Sequence, residues 1–326
     1  MLNIALIGAG GLGTDHARNY SRIPGCRVAL VHDARPEAAE RLAEAVDADV
    51  AASLDEVLGS SIQAVSIATP TNSHAEYAVA AARAGKHVFC EKPMARRVDQ
   101  ARQMVEAARA AGVTLMIGHV LRFFPEYSRA RDLVRSGALG KVGMVRTTRI
   151  NSIPGGEKAW FADYAMSGGV TVDMVIHDFD WLLWTFGPAK RVLAKGLARH
   201  MPLLDYSLTT IRFASGAIAH VEGSWADLGR FRTSFEIAGS EGLIEHDSTR
   251  AATLTTQLRG GGPGRREVQV PSSPASESPY LLEDRHFADC VQADVAPAIT
   301  PEEALAALEL ACAADESLRT GRVVEL

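Results

Sequence analysis

The chain has 326 residues, 47% of them hydrophobic and 22% charged, which predicts a packed globular protein with two domains rather than a disordered one. The formal net charge of -5 at pH 7, with no basic stripe, argues against nucleic acid as a partner. The four cysteines form no CxxC pair, which argues against disulfides and against a metal centre. No apolar run is long enough to span a membrane. We therefore expect a cytoplasmic protein with free thiols.

Short apolar runs and longer helical patterns alternate along the first 120 residues. The runs are almost continuously apolar, as in parallel strands covered on both faces, and Gly85 and Gly112 end two of the helical patterns. The predicted strands are 3–7, 28–32, 64–68, 87–90 and 114–117, and the predicted helices are 34–46, 73–84 and 98–111. This order predicts an α/β domain with a doubly wound parallel sheet over residues 1–120.

A different pattern begins after residue 120. Alternating runs predict the strands of a large, mostly antiparallel open sheet, with turns such as Ser215-Gly216 between them. The predicted strands are 143–150, 189–198, 207–213, 218–225, 232–239 and 243–246; the predicted helices are 125–135, 170–186 and 301–320; and 260–279 is a loop or loose hairpin. We therefore expect an α+β domain over residues 121–326, with the C-terminal helix, 301–320, able to pack back on the first domain.

A glycine motif follows the first predicted strand and opens a helical pattern. Residues 8–13 read GAGGLG, the GxGxxG arrangement of Rossmann dinucleotide-binding domains. Gly8 permits the tight turn, Gly10 lets the backbone approach a diphosphate, and Gly13 lets helix and strand pack closely. The diphosphate would lie at the helix N-terminus, where backbone N–H groups have no helical partner. The alternative is a glycine-rich turn without a ligand, and the surrounding strand and helix argue against it.

Two residues bear on the choice between NAD and NADP. Asp33 lies 20 residues beyond Gly13, at the end of the second predicted strand, where a carboxylate accepts hydrogen bonds from the adenosine ribose. A 2′-phosphate at the same place would be repelled by this charge. Arg35 favours NADP instead, because an arginine just past the strand can pair with a 2′-phosphate. We expect NAD rather than NADP; the competing interpretation is that Asp33 only caps the next helix.

Three further segments stand out beside the glycine motif. They read ATPTNSH at 68–74, CEKP at 90–93 and GGVTVDMVIHDFD at 168–180. In order and spacing, the four segments resemble the Gfo/Idh/MocA oxidoreductase family over essentially the whole chain. Within that family, the last segment, with Ile176 before the histidine, is most similar to inositol 2-dehydrogenase-like members. The resemblance implies hydride transfer between NAD and a sugar or polyol substrate.

Three residues are expected to carry the catalysis. Asp173 and His177 are four apart, so on a single helix they would share a face. A histidine can take a hydroxyl proton near neutral pH, and a neighbouring carboxylate can orient it and stabilise its charged form. The resemblance adds Lys92, whose ammonium would stabilise alkoxide-like charge on the reacting oxygen. Without the resemblance, a helix-surface pair and a solvated lysine are the competing interpretations.

The remaining site residues surround these three. The expected cofactor-binding residues are Gly8, Gly10, Gly11, Leu12, Gly13, Asp33, Arg35, Ala68, Thr69, Pro70, Asn72, His74, Glu91 and Lys92. The expected substrate-binding residues are His119, Arg122, Asn151, Trp160, Tyr164, Asp173 and His177. Helix capping is the alternative for Asn72 and Ser73, and core packing is the alternative for the two aromatic residues. We interpret His16 as a packing or capping residue, and Asp178 and Asp180 as supports of the helix or of the rim of the site rather than as bases.

The leading hypothesis is an NAD-dependent dehydrogenase that oxidises a secondary alcohol of a cyclitol or sugar, without a metal. One alternative keeps the fold but reduces a keto-sugar or other carbonyl, or uses NAD transiently in glycoside cleavage. Another is a non-catalytic NAD-binding regulator. Because an exposed apolar face on a large sheet is a liability, we also expect a homodimer or homotetramer built on the second-domain sheet.

Overall fold

In the computed structural model, the chain is described over residues 1–152, 160–197, 205–227, 231–250, 254–259, 266–269 and 277–326. It divides into two compact units. The first comprises Met1–Val120 with Glu277–Leu305, and the second Leu121–Ser276 with Ala306–Leu326. This division differs from the predicted domain over 121–326, because Glu277–Leu305 belongs to the first unit.

The first unit contains a parallel sheet. Its strands are β1 (Leu2–Ile7), β2 (Cys26–His32), β3 (Asp49–Val50), β4 (Ala64–Ile67), β5 (His87–Glu91) and β6 (Leu115–Gly118), in the order β3-β2-β1-β4-β5-β6. The helices between them are α1 (Gly11–Tyr20), α2 (Pro36–Val46), α3 (Leu54–Gly59), α4 (His74–Arg83) and α5 (Val98–Ala111). Strands β4 and β6 are buried along their whole length, as expected for parallel strands covered on both faces. The predicted doubly wound sheet is confirmed.

The second unit is built on a larger mixed sheet. Its strands are β7 (Val142–Ile150), β8 (Ala189–Leu197), β9 (Tyr206–Phe213), β10 (Ile218–Ser224), β11 (Arg232–Gly239), β12 (Gly242–Asp247), β13 (Leu254–Arg259), β14 (Arg266–Gln269) and β15 (Val324–Glu325). Their order is β14-β13-β12-β11-β7-β10-β9-β8-β15. Among these described strands, the pair β7–β10 is parallel and the other pairs are antiparallel. The prediction of a mostly antiparallel sheet is therefore confirmed.

Helices cover one face of this sheet. The helices of the second unit include α6 (Pro125–Arg135), α7 (Tyr164–Ser167), α8 (Gly169–Asp173) and α9 (Ile176–Phe186). Helix α10 (Pro279–Ala293) belongs to the first unit, and α11 (Pro301–Thr320) begins in the first unit and ends in the second. Aromatic contacts fix α9 on the sheet: the ring centroids of Trp181 and Phe235 lie 4.8 Å apart, and those of Phe186 and Phe213 lie 5.8 Å apart. The indole N–H of Trp181 donates to the carbonyl of Tyr127 in α6 at 3.1 Å.

The opposite face of the sheet carries both charged and apolar side chains, the exposed Leu197 and Leu208 among the latter. A cross-strand row places Glu245, Glu236, Arg146 and His220 side by side on β12, β11, β7 and β10. Arg146 and Glu236 form an ion pair with a 3.5 Å N–O distance, and His220 is exposed. An oligomer built on this face stays a proposal, because the described residues show a mixed face rather than a continuous apolar one.

No helix in the described part of the chain is long and apolar enough to cross a membrane.

Candidate active site

The glycine loop between β1 and α1 leaves room for a ligand above its backbone. Gly8 has φ +102°, and a Cβ there would lie 2.6 Å from the carbonyl oxygen of Ala68, while a Cβ on Gly13 would lie 1.9 Å from that of Gly8. No heavy atom lies within 4 Å of a Cβ built on Gly10 or Gly11. The N-terminus of α1 has no side-chain cap, so its first N–H groups face this open space. The loop therefore fits a dinucleotide diphosphate.

Asp33 closes the other side of this loop. Its Oδ2 accepts a hydrogen bond from the backbone N–H of Ala9 at 2.7 Å, and its Oδ1 accepts one from the N–H of Arg35 at 2.8 Å. The Nε of Arg35 lies 3.6 Å from the same oxygen, and the Arg35 side chain is about half exposed. Helix α2 has no side-chain cap hydrogen bond, so the role of this carboxylate is to join the glycine loop to the segment between β2 and α2.

Replacing Asp33 with serine is expected to move the cofactor preference toward NADP. The substitution removes the negative charge that would repel a 2′-phosphate and leaves Arg35 next to it. We expect the ratio of kcat/KM with NAD to kcat/KM with NADP to fall by about 10²-fold. Glu40→Ser, which removes an exposed carboxylate from α2, is the matched control and should leave the ratio unchanged. An unchanged ratio in the Asp33 variant would contradict this role.

The segments after β4 and β5 are tied together by His74. Its ring is 1% exposed, with Nδ1 2.8 Å from the carbonyl oxygen of Pro93 and Nε2 2.9 Å from that of Thr69. Burial lowers the pKa of His74, and the hydrogen bonds to these two oxygens oppose that shift without cancelling it. Ser73 donates to the Thr69 hydroxyl at 2.8 Å. His74 thus supports the predicted cofactor loop through its backbone, and the exposed Asn72 projects from the same turn.

Glu91 and Lys92 lie at the carboxyl end of β5. Glu91 is 5% exposed; its Oε2 accepts a hydrogen bond from the backbone N–H of Lys92 at 3.0 Å, and its Oε1 lies 2.9 Å from Nε2 of His16. Burial raises the pKa of Glu91, but the hydrogen bond and charge of His16 outweigh burial and the net shift is downward. The first unit therefore brings the glycine loop, Asp33, the 68–74 segment and Lys92 to one edge of its sheet, where ligands of such sheets bind.

The segment with Asp173 and His177 does not form the single helix that the sequence predicts. Helix α8 ends at Asp173 and α9 begins at Ile176. The backbone N–H groups of Met174 and Val175 both donate to the carbonyl of Val170, at 3.0 and 2.9 Å. The single helix predicted over 170–186 is therefore interrupted between Asp173 and Ile176, and the shared face of Asp173 and His177 stays a prediction. Asp173 is 5% exposed at the end of α8, and the half-buried His177 lies in the first turn of α9.

Two buried ion pairs hold the first turns of α9. The Nε of Arg149 on β7 donates to Oδ2 of Asp178 at 2.5 Å. Arg122 binds Asp180 in a bidentate manner, Nε to Oδ2 at 2.9 Å and Nη2 to Oδ1 at 2.6 Å. The side chains of both pairs are at most 4% exposed. Asp178 and Asp180 thus support the helix that carries His177, as predicted.

Three of the other predicted substrate residues, Trp160, Tyr164 and Asn151, have partners within the second unit. Trp160 stacks on Phe161 with a 3.9 Å centroid distance, the hydroxyl of Tyr164 donates to Asp315 at 2.5 Å, and Asn151 accepts a hydrogen bond from the N–H of Ser152. His119 is 1% exposed at the end of β6. These positions favour structural roles for Trp160 and Tyr164, and direct contact with a substrate stays a prediction.

Sequence reasoning missed Arg149 and Asp284. Asp284 lies on α10, which the sequence analysis did not predict, and it binds His16 from 268 positions away. No spacing signal could have linked the two. In the described part of the chain, no group of three or more His, Cys, Asp or Glu side chains could hold a metal ion.

The glycine loop, the uncapped helix and the acid at the end of β2 define a dinucleotide-binding α/β protein. Residues 2–119 match the family described as "Oxidoreductase family, NAD-binding Rossmann fold", and residues 127–245 match the "GFO/IDH/MocA C-terminal domain". The chain belongs to the Gfo/Idh/MocA oxidoreductase family, as the resemblance implied. The expected cofactor, NAD, agrees with the family's N-terminal domain.

Named relatives span the whole chain. It is 30% identical to "Myo-inositol 2-dehydrogenase" of Thermotoga maritima, with 100% of this chain and 98% of the relative covered. It is also 30% identical to "scyllo-inositol 2-dehydrogenase (NAD(+))" of Bacillus subtilis, with 99% and 95% covered. The crystal structure of GenD2 from gentamicin A biosynthesis in complex with NAD is 29% identical, covers 100% of this chain and 96% of its own, and has a TM-score of 0.88.

Proposed function

We propose that the protein is an NAD-dependent dehydrogenase that oxidises a secondary alcohol of a cyclitol or sugar. The observation that carries this proposal is the full-length likeness to two enzymes named as inositol 2-dehydrogenases. The open glycine loop and Asp33 support NAD as the hydride acceptor. The sequence also holds a histidine, a carboxylate and a lysine in segments that resemble the catalytic segments of the family.

Each of these three residues has a chemical task in the proposal. His177 takes the proton of the reacting hydroxyl, and Asp173 stabilises the imidazolium that results. Lys92 donates a hydrogen bond to the same oxygen and stabilises its growing negative charge. NAD, when bound, supplies the nicotinamide carbon that accepts the hydride. The protein's contribution is orientation, charge and a route for one proton.

A substrate screen tests the proposal. Purified protein with NAD is mixed with inositols, aldoses and aldonic acids at alkaline pH, and NADH absorbance is followed. We expect NADH formation with at least one cyclitol or sugar, and a slower rate when the reacting carbon carries deuterium, because that C–H bond breaks. A variant with Lys92→Ala is run beside the wild type to exclude a contaminating dehydrogenase.

The other outcomes distinguish the alternatives. Oxidation of NADH by a keto-sugar, with no reaction in the other direction, would favour a reductase. Consumption of a glycoside without net NADH formation would favour transient oxidation by a retained cofactor. NAD binding by calorimetry with no turnover on the whole panel would contradict the proposal and favour a regulator.

A further inference from the structure

A buried ionic cluster lies beneath Lys92 in the first unit. His16 on α1 is 0% exposed, with Nδ1 2.8 Å from Oδ1 of Asp284 on α10 and Nε2 2.9 Å from Oε1 of Glu91. The amide of Asn19, one turn further along α1, donates to the other oxygen of Asp284 at 2.8 Å. Three parts of the chain that are far apart in sequence thus meet at one imidazole.

The contacts favour an imidazole whose two nitrogens both carry protons. A neutral imidazole has one N–H, and its second nitrogen would set a lone pair against a carboxylate oxygen. Burial alone lowers the pKa of His16, but the charges and hydrogen bonds of Asp284 and Glu91 outweigh it and raise the pKa well above its usual value. The imidazolium therefore donates one charge-assisted hydrogen bond to each carboxylate.

Other titratable groups surround this cluster. Lys92 and His74 interact with Glu91, and Asp284 and Glu283 interact with the Tyr20 hydroxyl, whose pKa is raised well above its usual value, with burial as the largest cause. Phe89 covers the imidazole ring edge-on, with a centroid distance of 5.1 Å. The cluster is enclosed by side chains on α1, β5 and α10, which limits the movement of its members.

The cluster fixes the backbone of Lys92 from one side. Glu91 holds His16 with Oε1 and the N–H of Lys92 with Oε2, so one carboxylate joins the imidazolium to the residue proposed to act on the substrate. On the other side, the carbonyl of Pro93 lies 2.8 Å from Nδ1 of His74. A side chain that acts in catalysis must be held within a fraction of an ångström, and supporting groups of this kind provide that precision.

We infer that His16 is a positioning residue for Lys92, acting as an imidazolium that ties the Glu91–Lys92 backbone to α1 of the glycine loop and to α10. The inference rests on the proposed function, because it assigns His16 a part in the same reaction. A contact that only holds α1 against α10 could be made by apolar side chains at a lower cost in free energy, since burying charges is unfavourable. The hydrogen bonds of the charged cluster are directional. Through the two oxygens of Glu91 they connect His16 to the backbone N–H of Lys92.

A double-mutant cycle tests this inference. His16→Gln removes the charge and one of the two donated hydrogen bonds, and we expect it to lower kcat per bound NAD by about 10-fold to 100-fold. If His16 acts through Lys92, the same change in a Lys92→Ala background should lower kcat by less than about twofold, because coupled residues are not additive. His286→Gln, the same substitution two residues from Asp284 on α10, is the matched control and should leave kcat unchanged.

The outcomes separate this inference from the proposed function. Equal losses from His16→Gln in both backgrounds, or unchanged kcat per bound NAD in the single variant, would overturn the inference while the dehydrogenase proposal stands. Normal turnover in Lys92→Ala alone would overturn the inference and remove Lys92 from the mechanism, whereas NAD binding without turnover on the whole substrate panel would overturn the proposed function. If His16→Gln does not fold, Asp284→Asn takes its place in the cycle, since it keeps the shape of the partner and removes its charge. The His16→Gln variant should also show a larger deuterium isotope effect on kcat than the wild type. A loss of folded protein alone would not produce that change.

Discussion

Replacing His177 or Lys92 with alanine is expected to lower kcat at saturating NAD by about 10²-fold to 10⁴-fold, with folding retained. His177→Ala removes the proposed proton acceptor, and Lys92→Ala removes the proposed donor to the reacting oxygen. Steady-state NADH formation with the substrate found in the screen gives kcat, and calorimetry gives NAD binding. The His177 variant should also lose the acidic limb of the kcat–pH profile, which reports protonation of the base.

Matched controls exist for both substitutions. His220→Ala removes an exposed histidine from β10, and Lys190→Ala removes an exposed lysine from β8, so both should turn over normally. Lys92→Arg keeps the positive charge but changes its shape and reach, and we expect only partial recovery of kcat. Near-normal turnover in His177→Ala or Lys92→Ala would remove that residue from the mechanism.

Elements with local signals could be predicted from the sequence almost to the residue. Helix α5 is observed as predicted over Val98–Ala111, because Gly112 ends it in the left-handed region at φ 65°. Helix α6 is observed as predicted over Pro125–Arg135, with proline in its first turn. Apolar runs with period two place β7 and β11 within one residue of their observed ends. In each case the signal lies within the element or next to it.

Features that depend on distant residues could not be predicted in this way. The hydrophobic pattern of 170–186 continues through the break between α8 and α9, so periodicity alone does not reveal it. Helix α10 was missed, and its place in the first unit depends on contacts with α1.

In the candidate site, too, residues with a local sequence signal could be predicted and contacts between distant residues could not. The glycine loop and Asp33 were found because their spacing is fixed by one βαβ unit. The partners of His16 and Arg122 were not, because they lie 268 and 58 positions away. Interpreting His16 as a packing or capping residue therefore missed its ionic contacts, and predicting Arg122 as a substrate residue missed its bond to Asp180.

The Arg122–Asp180 pair is expected to be a major stabilising feature of the second unit. Its two side chains are 3% and 1% exposed, so Asp180→Ala would leave a buried guanidinium without its carboxylate. Removing one partner of such a pair typically costs about 3–5 kcal/mol of unfolding free energy. Urea unfolding followed by tryptophan fluorescence should show this loss, since Trp184 lies 5.2 Å from the Arg122 guanidinium.

The double variant Arg122→Met, Asp180→Leu distinguishes a broken ion pair from a general loss of packing. Because both charges are removed together, we expect it to regain most of the lost unfolding free energy. Asp99→Ala breaks the exposed Arg97–Asp99 pair instead, and its urea midpoint should match the wild type. If Arg122→Met alone were as stable as the wild type and raised only the KM for the alcohol, the buried pair would not matter for stability, and Arg122 would act on the substrate as the sequence first suggested.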